Sequence, residues 1–341
     1  MMLPRELRDA VEAQIQHVPL RQLARAAEGL RERYRAGERN VAGSLVQSSE
    51  QALAYAAYRL PSTYAALHSA LYETRQRLPE WRPRTLVEAG CGPGPGVWAA
   101  SELWQSLEMS FMLDVDTRML SIARILVQAS RRPSVKDAIL QRFDLTARMD
   151  LPQGDLTIGT YVLGEVAKEC RPALVDRLWK ATHGVLILIE GAKSPRGFEV
   201  ILAARRRLID LGAYIVTPCP HGNACPKSVG DRWCHFAQRV ERSQAQRVLK
   251  ESFRPYEDEK FAYVAAARLS GLPIVGRVTL QPHVVGNAAR IEVCGQTALE
   301  QWTVPKSDKP RFRRAKKLYW GEAIDADDPL VAPVDEDTSK E

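Results

Sequence analysis

The chain has 341 residues, of which 45% are hydrophobic and 26% are charged. This composition is ordinary for a globular protein, and it excludes a chain disordered throughout, a collagen and a disulfide-stapled miniprotein. The net charge of +7 is uneven, because residues 1–321 carry +14 and residues 322–341 carry −7. A basic body indicates a polyanionic partner such as nucleic acid, although a solvated basic surface explains the charge equally well.

No stretch approaches about 18 uncharged apolar residues, so the sequence predicts no transmembrane helix and no membrane partner. The first ten residues include Arg5, Glu6, Arg8 and Asp9 and contain no apolar signal core. We therefore expect a cytoplasmic protein. The oligomeric state is not determined by the sequence, and a monomer is favoured.

Four regions follow one another along the chain. Residues 1–82 have helical apolar spacing and predict an N-terminal helical extension. Residues 83–270 alternate short apolar runs with helical patterns, which predicts an open α/β sheet with helices on both faces. Residues 271–322 predict a small C-terminal β appendage with a basic strip. Residues 323–341 are acidic and lack aromatic residues, so a disordered tail is expected there.

A glycine-rich turn follows the first apolar run, at residues 85–89. Its glycines are Gly90, Gly92, Gly94 and Gly96. Glycine lets a backbone turn sharply and approach a ligand closely. A dinucleotide fingerprint needs glycine where this chain has Pro95, and Pro93 and Pro95 lack the N–H donors that a pyrophosphate needs. Glu88 would repel a phosphate and attract an amine, so the turn favours a phosphate-free, cationic nucleoside such as S-adenosylmethionine.

The turn resembles the first motif of the class I S-adenosylmethionine-dependent methyltransferases, which have a Rossmann-like, doubly wound sheet. The resemblance implies that Asp114 contacts the ribose, that Asp144 contacts the adenine amine, and that Tyr161 borders the methyl-transfer site. The implied cofactor-binding residues are Glu88, Gly90, Cys91, Gly92, Gly94, Asp114, Asp144 and Tyr161. Another doubly wound fold with a tight glycine turn is the alternative. The Asn/Asp-Pro-Pro-Tyr signature of base amino-methyltransferases is missing after the fourth strand, so the catalytic residues stay unknown.

Six cysteines in a chain expected to be cytoplasmic indicate metal binding or catalysis before disulfides. Cys219, Cys225 and Cys234 lie in a proline- and glycine-rich insertion at residues 217–236, and Cys294 lies in the C-terminal extension. Hydrophobic burial alone does not organise such a loop, so a metal centre is a plausible organiser. Zinc ribbons usually have closer cysteine pairs, and iron–sulfur clusters accept wider spacings. The spacing leaves zinc and iron–sulfur both open.

Residues 59–66, 88–94, 161–165 and 316–321, together with the cysteine block, resemble the methyltransferase-like family associated with the small ribosomal subunit of mitochondria and bacteria. The resemblance implies binding to small-subunit rRNA or its precursor during assembly. It also implies a [4Fe-4S] cluster on the four cysteines, with zinc as the alternative. Four functions stay open: an S-adenosylmethionine-dependent rRNA methyltransferase, a catalytically inactive RNA-binding assembly factor, a redox or iron sensor that uses the cluster as a switch, and a zinc-containing small-molecule methyltransferase.

A basic strip near the C-terminus interleaves bases with aromatic residues. The candidate RNA-binding residues are Arg311, Arg313, Arg314, Lys316 and Lys317. Basic side chains can neutralise phosphates, and aromatic rings can stack on unpaired bases. The alternative is that the aromatic residues pack the β appendage and only the bases face solvent.

Overall fold

The computed structural model describes residues 1–36, 45–228 and 232–331. Parts of the predicted N-terminal extension (37–44) and tail (332–341) lie outside these ranges. The helices are α1 (Arg5–Ile15), α2 (Leu20–Ala36), α3 (Ser49–Tyr58), α4 (Leu60–Arg77), α5 (Pro95–Leu103), α6 (Thr117–Gln128), α7 (Pro133–Lys136), α8 (Arg171–Lys180), α9 (Pro195–Asp210), α10 (Gln244–Leu249) and α11 (Lys309–Lys317). None of the described helices combines the length and apolarity needed to cross a bilayer.

The strands fall into two sheets. They are β1 (Thr85–Ala89), β2 (Met109–Asp114), β3 (Ile139–Arg142), β4 (Gly154–Thr160), β5 (Thr182–Gly191), β6 (Tyr214–Thr217), β7 (Phe236–Glu241), β8 (Tyr256–Ala267), β9 (Gly276–Val278), β10 (His283–Val285), β11 (Ala288–Cys294), β12 (Leu299–Pro305) and β13 (Ala323–Ile324). The central sheet has the order β3-β2-β1-β4-β5-β8-β6, with β7 also paired to β8. The C-terminal sheet has the order β10-β11-β9-β13, with β12 paired to β11.

The central sheet is mainly parallel. Strands β1 to β5 run parallel to one another, and β8 runs antiparallel to its neighbours β5 and β6. This arrangement confirms the expected Rossmann-like, doubly wound α/β class. The chain builds outward from β1 to β3 and then returns to add β4 on the other side of β1. Ligands of doubly wound sheets bind at such a reversal, beyond the carboxyl ends of the two central strands.

Alternate residues of the buried strands supply two separate cores. In β1, Leu86 belongs to the core beneath the N-terminal helices, and Val87 belongs to the core beneath α8 and α9. The same alternation separates Ile187 from Leu188 in β5. Successive side chains of a strand point to opposite faces, so a continuous apolar run fits a sheet covered on both sides.

The N-terminal helices pack directly on the sheet. Leu7, Leu23 and Leu67 lie in the same core as Leu86. Helices α3 and α4 meet at Arg59, and Pro61 occupies the first turn of α4, where a missing N–H donor costs nothing. Helix α4 packs against strands β6, β7 and β8, so the junction at its start lies over this part of the central sheet.

The segment 323–331 differs from the expected disordered tail. Residues Ala323 and Ile324 form β13 and pair with β9, and the Leu330 side chain is 3% exposed. The tail interpretation was wrong for this segment, because its apolar residues pack into the core of the C-terminal sheet together with Ala315 and Leu318. An acidic composition did not reveal these few buried side chains.

Candidate functional site

The glycine-rich turn lies where the sheet order reverses, between β1 and α5. Gly90, Gly92 and Gly94 have φ values of +68°, +51° and +85°. L-residues rarely adopt this left-handed region, so the glycines allow the tight turn. The Cys91 N–H donates to the Leu113 carbonyl at 2.9 Å, which ties the turn to β2, and the Cys91 side chain is buried.

Gly92 is the glycine that faces open space. A Cβ added at Gly92 would meet no atom within 4 Å, whereas one at Gly94 would lie 2.3 Å from Met112 Cε. The Gly92 N–H donates to Asp114 Oδ2 at 2.7 Å, and the Asp116 N–H donates to Asp114 Oδ1 at 2.9 Å. The backbone at Gly92 and the carboxylate of Asp114 therefore form one wall of a cleft that a ligand can approach closely.

Glu88 lies below the turn and is 2% exposed. Its two carboxyl oxygens accept the N–H groups of Gly96 at 2.7 Å and Val97 at 3.0 Å, in the first turn of α5. Burial raises the pKa of Glu88 to about 8, although these backbone hydrogen bonds oppose the shift. In the structure, the Glu88 carboxyl therefore stabilises the start of α5. The sequence had indicated a contact with the amine of a ligand instead.

Asp144 follows β3 and is exposed. Its Oδ1 accepts the Thr146 N–H at 2.8 Å and the Thr146 hydroxyl at 2.7 Å, and these bonds lower the pKa of the Asp144 carboxyl. The preceding residue, Phe143, donates its N–H to the Asp114 carbonyl at 2.9 Å. Phe143 thus connects the end of β3 to Asp114, and Asp144 is the next residue along the chain.

The N-terminal helices provide the opposite wall of the cleft. The Tyr34 hydroxyl on α2 donates to Glu165 Oε1 at 3.1 Å. Tyr55 on α3 lies close enough to Asp114 and Glu165 for both charges to raise the pKa of its hydroxyl, after the larger effect of burial. The Glu165 side chain is exposed in part. The protein groups around its carboxyl still displace enough water to raise its pKa to about 7.

Tyr161 follows the carboxyl end of β4 with a φ of +59°. A non-glycine residue in this region carries backbone strain and often marks a functional position. Its hydroxyl donates to Glu259 Oε1 at 2.9 Å, and the Arg59 guanidinium lies 4.5 Å from the centre of its ring. Arg59 Nη1 also pairs with Glu259 Oε1 at 2.9 Å. The position that the resemblance assigns to methyl transfer is thus bordered by an ion pair between the α3–α4 junction and strand β8.

The four candidate metal ligands line one cavity. Cys219, Cys225, Cys234 and Cys294 surround a space of about 40 Å³ between α9 and the C-terminal sheet. Burial raises the pKa of the Cys234 thiol, and the other three thiols each raise it further, so the four groups lie close enough for their charges to interact. The His221 ring also reaches this cavity, with Nε2 at 3.8 Å from Cys294 Sγ. Within the described ranges, no three His, Cys, Asp or Glu side chains are gathered as ligands of a single ion.

Buried cations surround the same cavity. Lys227 Nζ donates to Glu292 Oε1 at 2.6 Å, and Arg277 Nη1 donates to Glu73 Oε2 at 2.6 Å. Arg205, on α9, is 3% exposed and donates Nη2 to the His221 carbonyl at 2.7 Å. Sequence reasoning missed these three cations, because they lie on separate elements and no local motif connects them to the cysteines.

The basic strip forms helix α11, and the structure divides its cations into two groups. Arg313, Lys316 and Lys317 are exposed. Arg314 Nη2 binds Asp328 Oδ2 and Glu322 Oε1, each at 2.7 Å, and Arg311 Nη2 donates to the Leu330 carbonyl at 2.9 Å. The strip therefore presents a solvent-facing set of three cations and a second set held by the segment that follows it.

The aromatic residues of the strip also divide. Phe312 packs against the core of the C-terminal sheet, and Trp320 packs against the core beneath the N-terminal helices. Tyr319 is 56% exposed. Tyr319 is accordingly the aromatic ring of this strip that is most open to a stacking partner.

Comparison with known proteins gives a consistent assignment. A family model described as mitochondrial small ribosomal subunit Rsm22 matches residues 49–325. The human mitochondrial ribosome assembly protein METTL17 is 30% identical over 233 residues, which cover 63% of this chain and 48% of METTL17. A mitochondrial Rsm22-cox11 tandem protein of Schizosaccharomyces pombe is 26% identical over 328 residues, which cover 80% of this chain and 43% of that protein. The chain thus spans about half the length of the curated relatives it matches.

Among solved structures, the chain is similar to magnesium protoporphyrin IX methyltransferase (ChlM) from Synechocystis PCC 6803 with bound SAM. The two are 17% identical, the match covers 70% of this chain and 90% of that one, and the TM-score is 0.41. The expectation of a cytoplasmic protein is contradicted, because the matched relatives are mitochondrial proteins. Since the family model covers most of the sequence, the chain belongs to the mitochondrial small ribosomal subunit Rsm22 family.

Proposed function

We propose that this chain binds S-adenosylmethionine in the cleft beside Gly92 and assists the assembly of a small ribosomal subunit as a methyltransferase acting on its rRNA. The observation that carries the proposal is the open space at Gly92 next to the Asp114 carboxylate, at the reversal of the sheet order. The family match and the name of the human relative support the assembly role.

The residues of the cleft fit a cationic nucleoside. Asp114 would accept hydrogen bonds from the ribose hydroxyls, and Gly90 and Gly92 would let the backbone approach the ligand. Glu165 lies close enough to Asp114 and to Glu190 for each of their charges to interact with its own. When bound, S-adenosylmethionine supplies an electrophilic methyl group on a positively charged sulfur. Glu165, with its pKa near 7, would accept a proton from a methyl acceptor in this proposal.

A leucine at Gly92 tests the cofactor site. Its side chain would fill the open space, so Gly92→Leu should abolish S-adenosylmethionine binding in a calorimetric titration. Gly286→Leu is the matched control, because Gly286 has a φ of +56° and also has no atom within 4 Å of an added Cβ. Both variants carry similar backbone strain, of about 1–2 kcal/mol. Equal loss of binding in both variants, or full binding by Gly92→Leu, would contradict the proposed site.

We propose further that Cys219, Cys225, Cys234 and Cys294 hold a [4Fe-4S] cluster that shapes the RNA-binding face and passes no electrons. A tetrahedral zinc ion draws four sulfurs to about 2.3 Å from one point. The four thiols line one cavity with room for more than one water-sized group, and a cluster accepts the wide spacing of these cysteines in the sequence. Burial raises the pKa of the Cys234 and Cys294 thiols, so bound metal would be needed to keep them ionised.

Metal analysis distinguishes the two centres. Protein purified without oxygen should be brown and contain about four iron atoms and matching sulfide per chain. A colourless preparation with zinc would refute the cluster and leave a zinc centre. Cys170→Ser is the matched control, because Cys170 is an exposed free cysteine outside the cavity lining and its loss should not change the metal content.

A catalytically inactive assembly factor is the second candidate, and one observation favours it. Arg59, Glu259 and Tyr161 bond to one another at the end of β4, where a methyl acceptor would have to enter. Transfer of tritium from labelled S-adenosylmethionine to small-subunit precursors separates the candidates. Asp114→Ala should remove the label if the protein is an enzyme, and full support of assembly by that variant would make catalysis dispensable. Label on a small molecule, with no salt-dependent RNA binding, would indicate a small-molecule methyltransferase.

A further inference from the structure

Arg205 is a buried cation without a carboxylate partner. Its side chain is 3% exposed, and in the described parts of the chain no carboxylate oxygen lies within 4.0 Å of it. Its Nη2 donates to the His221 carbonyl, and its Nε has no hydrogen-bond partner there. Removing a charge from water costs several kcal/mol unless an opposite charge compensates it. The position therefore calls for a negative charge close to the guanidinium.

The cysteine cavity is where that charge can lie. Arg205 lines the cavity together with Cys219, and the guanidinium lies close enough to oppose the effect of burial, which raises the pKa of the Cys219 thiol. The neighbouring buried cations differ, because Lys227 is paired with Glu292 and Arg277 with Glu73. A neutral lining would leave Arg205 uncompensated, whereas an anionic centre held by the four cysteines would pair with it.

We propose that Arg205 is a positioning residue that compensates the negative charge of the four-cysteine centre by donating to Cys219 Sγ. This inference rests on the proposed metal centre. Four thiolates carry more negative charge than a zinc ion or an oxidised [4Fe-4S] core carries positive charge, so the centre is anionic with either group. Outer hydrogen bonds to ligand atoms orient them and adjust metal affinity and reduction potential.

The test compares three variants in the full chain. Arg205→Met removes the charge at similar length, Arg205→Lys keeps the charge without the planar fork, and Arg206→Met removes one exposed charge from the same helix. The assay follows metal loss to EDTA or an iron chelator. A groove of about 240 Å³, which is also lined by Cys219 and His221, offers the chelator a route to the centre.

We expect Arg205→Met to lose metal about 10- to 100-fold faster than the unmodified chain, the range found for outer-shell partners. Arg205→Lys should be intermediate, and Arg206→Met should be unchanged. If the metal is a cluster, Arg205→Met should have a more negative reduction potential, because the missing positive charge no longer favours the added electron. Arg205→Lys should retain most of the original potential, which a purely packing role of Arg205 would not explain.

Two results would overturn the inference in different ways. Unchanged metal loss and potential in Arg205→Met would overturn the role of Arg205 and leave the metal centre intact. An unmodified chain without iron or zinc would overturn the centre as well. If Arg205→Met does not fold, Arg205→Lys decides the matter, because equal metal loss in Arg205→Lys and the unmodified chain would show that the planar hydrogen bond to Cys219 is not needed.

Discussion

The carboxyl groups beside the cleft make ligand binding sensitive to pH. Burial raises the pKa of Glu190 to about 7 and that of Asp114 above its usual value, and desolvation by the protein groups around the partly exposed Glu165 raises its pKa to about 7 as well. Glu165 and Glu190 are increasingly protonated below about pH 7 and ionise as the pH increases through that value. An ionised carboxylate attracts a sulfonium cation. We expect the affinity for S-adenosylmethionine to increase roughly fivefold between about pH 6 and pH 8, measured by calorimetry.

S-adenosylhomocysteine provides the control for this prediction, because its sulfur is neutral. Its affinity should change less over the same pH range. Glu165→Gln should reduce the pH dependence for S-adenosylmethionine, since an amide does not ionise in this range. Parallel pH curves for the two ligands would indicate that the carboxylates act on another part of the nucleoside.

At the scale of elements, the ion pair between Arg59 and Glu259 connects the α3–α4 junction to β8. Glu259 is 1% exposed, and Arg59 and Tyr161 both bond to its Oε1. Removing one partner of a buried pair leaves an uncompensated charge, at a cost of about 3–5 kcal/mol. We therefore expect Glu259→Leu to lower the free energy of unfolding by that amount, and Arg59→Leu with Glu259→Leu together to lower it much less than the sum of the single changes.

Denaturant unfolding of the four members of this double-mutant cycle measures the coupling. The matched control is the Arg84–Glu108 pair, whose side chains are 69% and 60% exposed at a distance of 2.8 Å. Leucine substitutions in that pair should show a coupling of about 0–1 kcal/mol. Equal coupling in both pairs would mean that Glu259 is effectively solvated.

The glycine turn and this ion pair differ in how far sequence alone reveals them. Gly92 and Asp114 lie at the ends of adjacent apolar runs, so their spacing predicts that they meet at one sheet edge. Arg59 and Glu259 lie far apart in the sequence, and no periodicity indicates that a helix junction lies over β8. Only residues 261–267 of strand β8 form an apolar run, because the first half of the strand, which begins at Tyr256, is rich in charges. The sequence pattern therefore does not mark Glu259 as a buried residue.

The cysteine centre shows the same limit. Residue type and spacing identified four candidate ligands, and the fold brings all four to one cavity. Arg205 could not be found in that way, because α9 contains three consecutive arginines and only the helix register buries the first of them. The sequence therefore predicts the ligand side chains of this site, such as the four cysteines, better than the charged side chains around them, such as Arg205. The positions of the charged side chains depend on how separate elements pack.

For the whole molecule, the acidic residues near the C-terminus form ion pairs with the basic region that precedes them. Residues 1–321 carry +14, and the acidic residues that follow include Glu322 and Asp328. Both of these bind Arg314 at 2.7 Å, on the helix proposed to contact RNA. The acidic segment thus neutralises part of the basic helix within the same chain, while Arg313, Lys316 and Lys317 stay exposed.

Asp328→Asn should weaken the hold on Arg314, because Glu322 then remains as its carboxylate partner, and make Arg314 more available to RNA. We expect it to strengthen binding to a small-subunit rRNA fragment at low salt and to steepen the plot of log affinity against log salt by about one unit, as one further phosphate contact would. The Leu330 N–H donates to Asp328 Oδ1 at 2.9 Å, and the asparagine side chain keeps an oxygen that can accept this bond, so the turn should persist.

Asp327→Asn is the matched control, because it removes the same charge from an exposed neighbour. If both variants strengthen RNA binding equally, net charge and not the contact with Arg314 governs the interaction. A difference confined to Asp328→Asn would mean that this chain limits its own RNA affinity through one ion pair, and that the balance between its two charged regions is set locally.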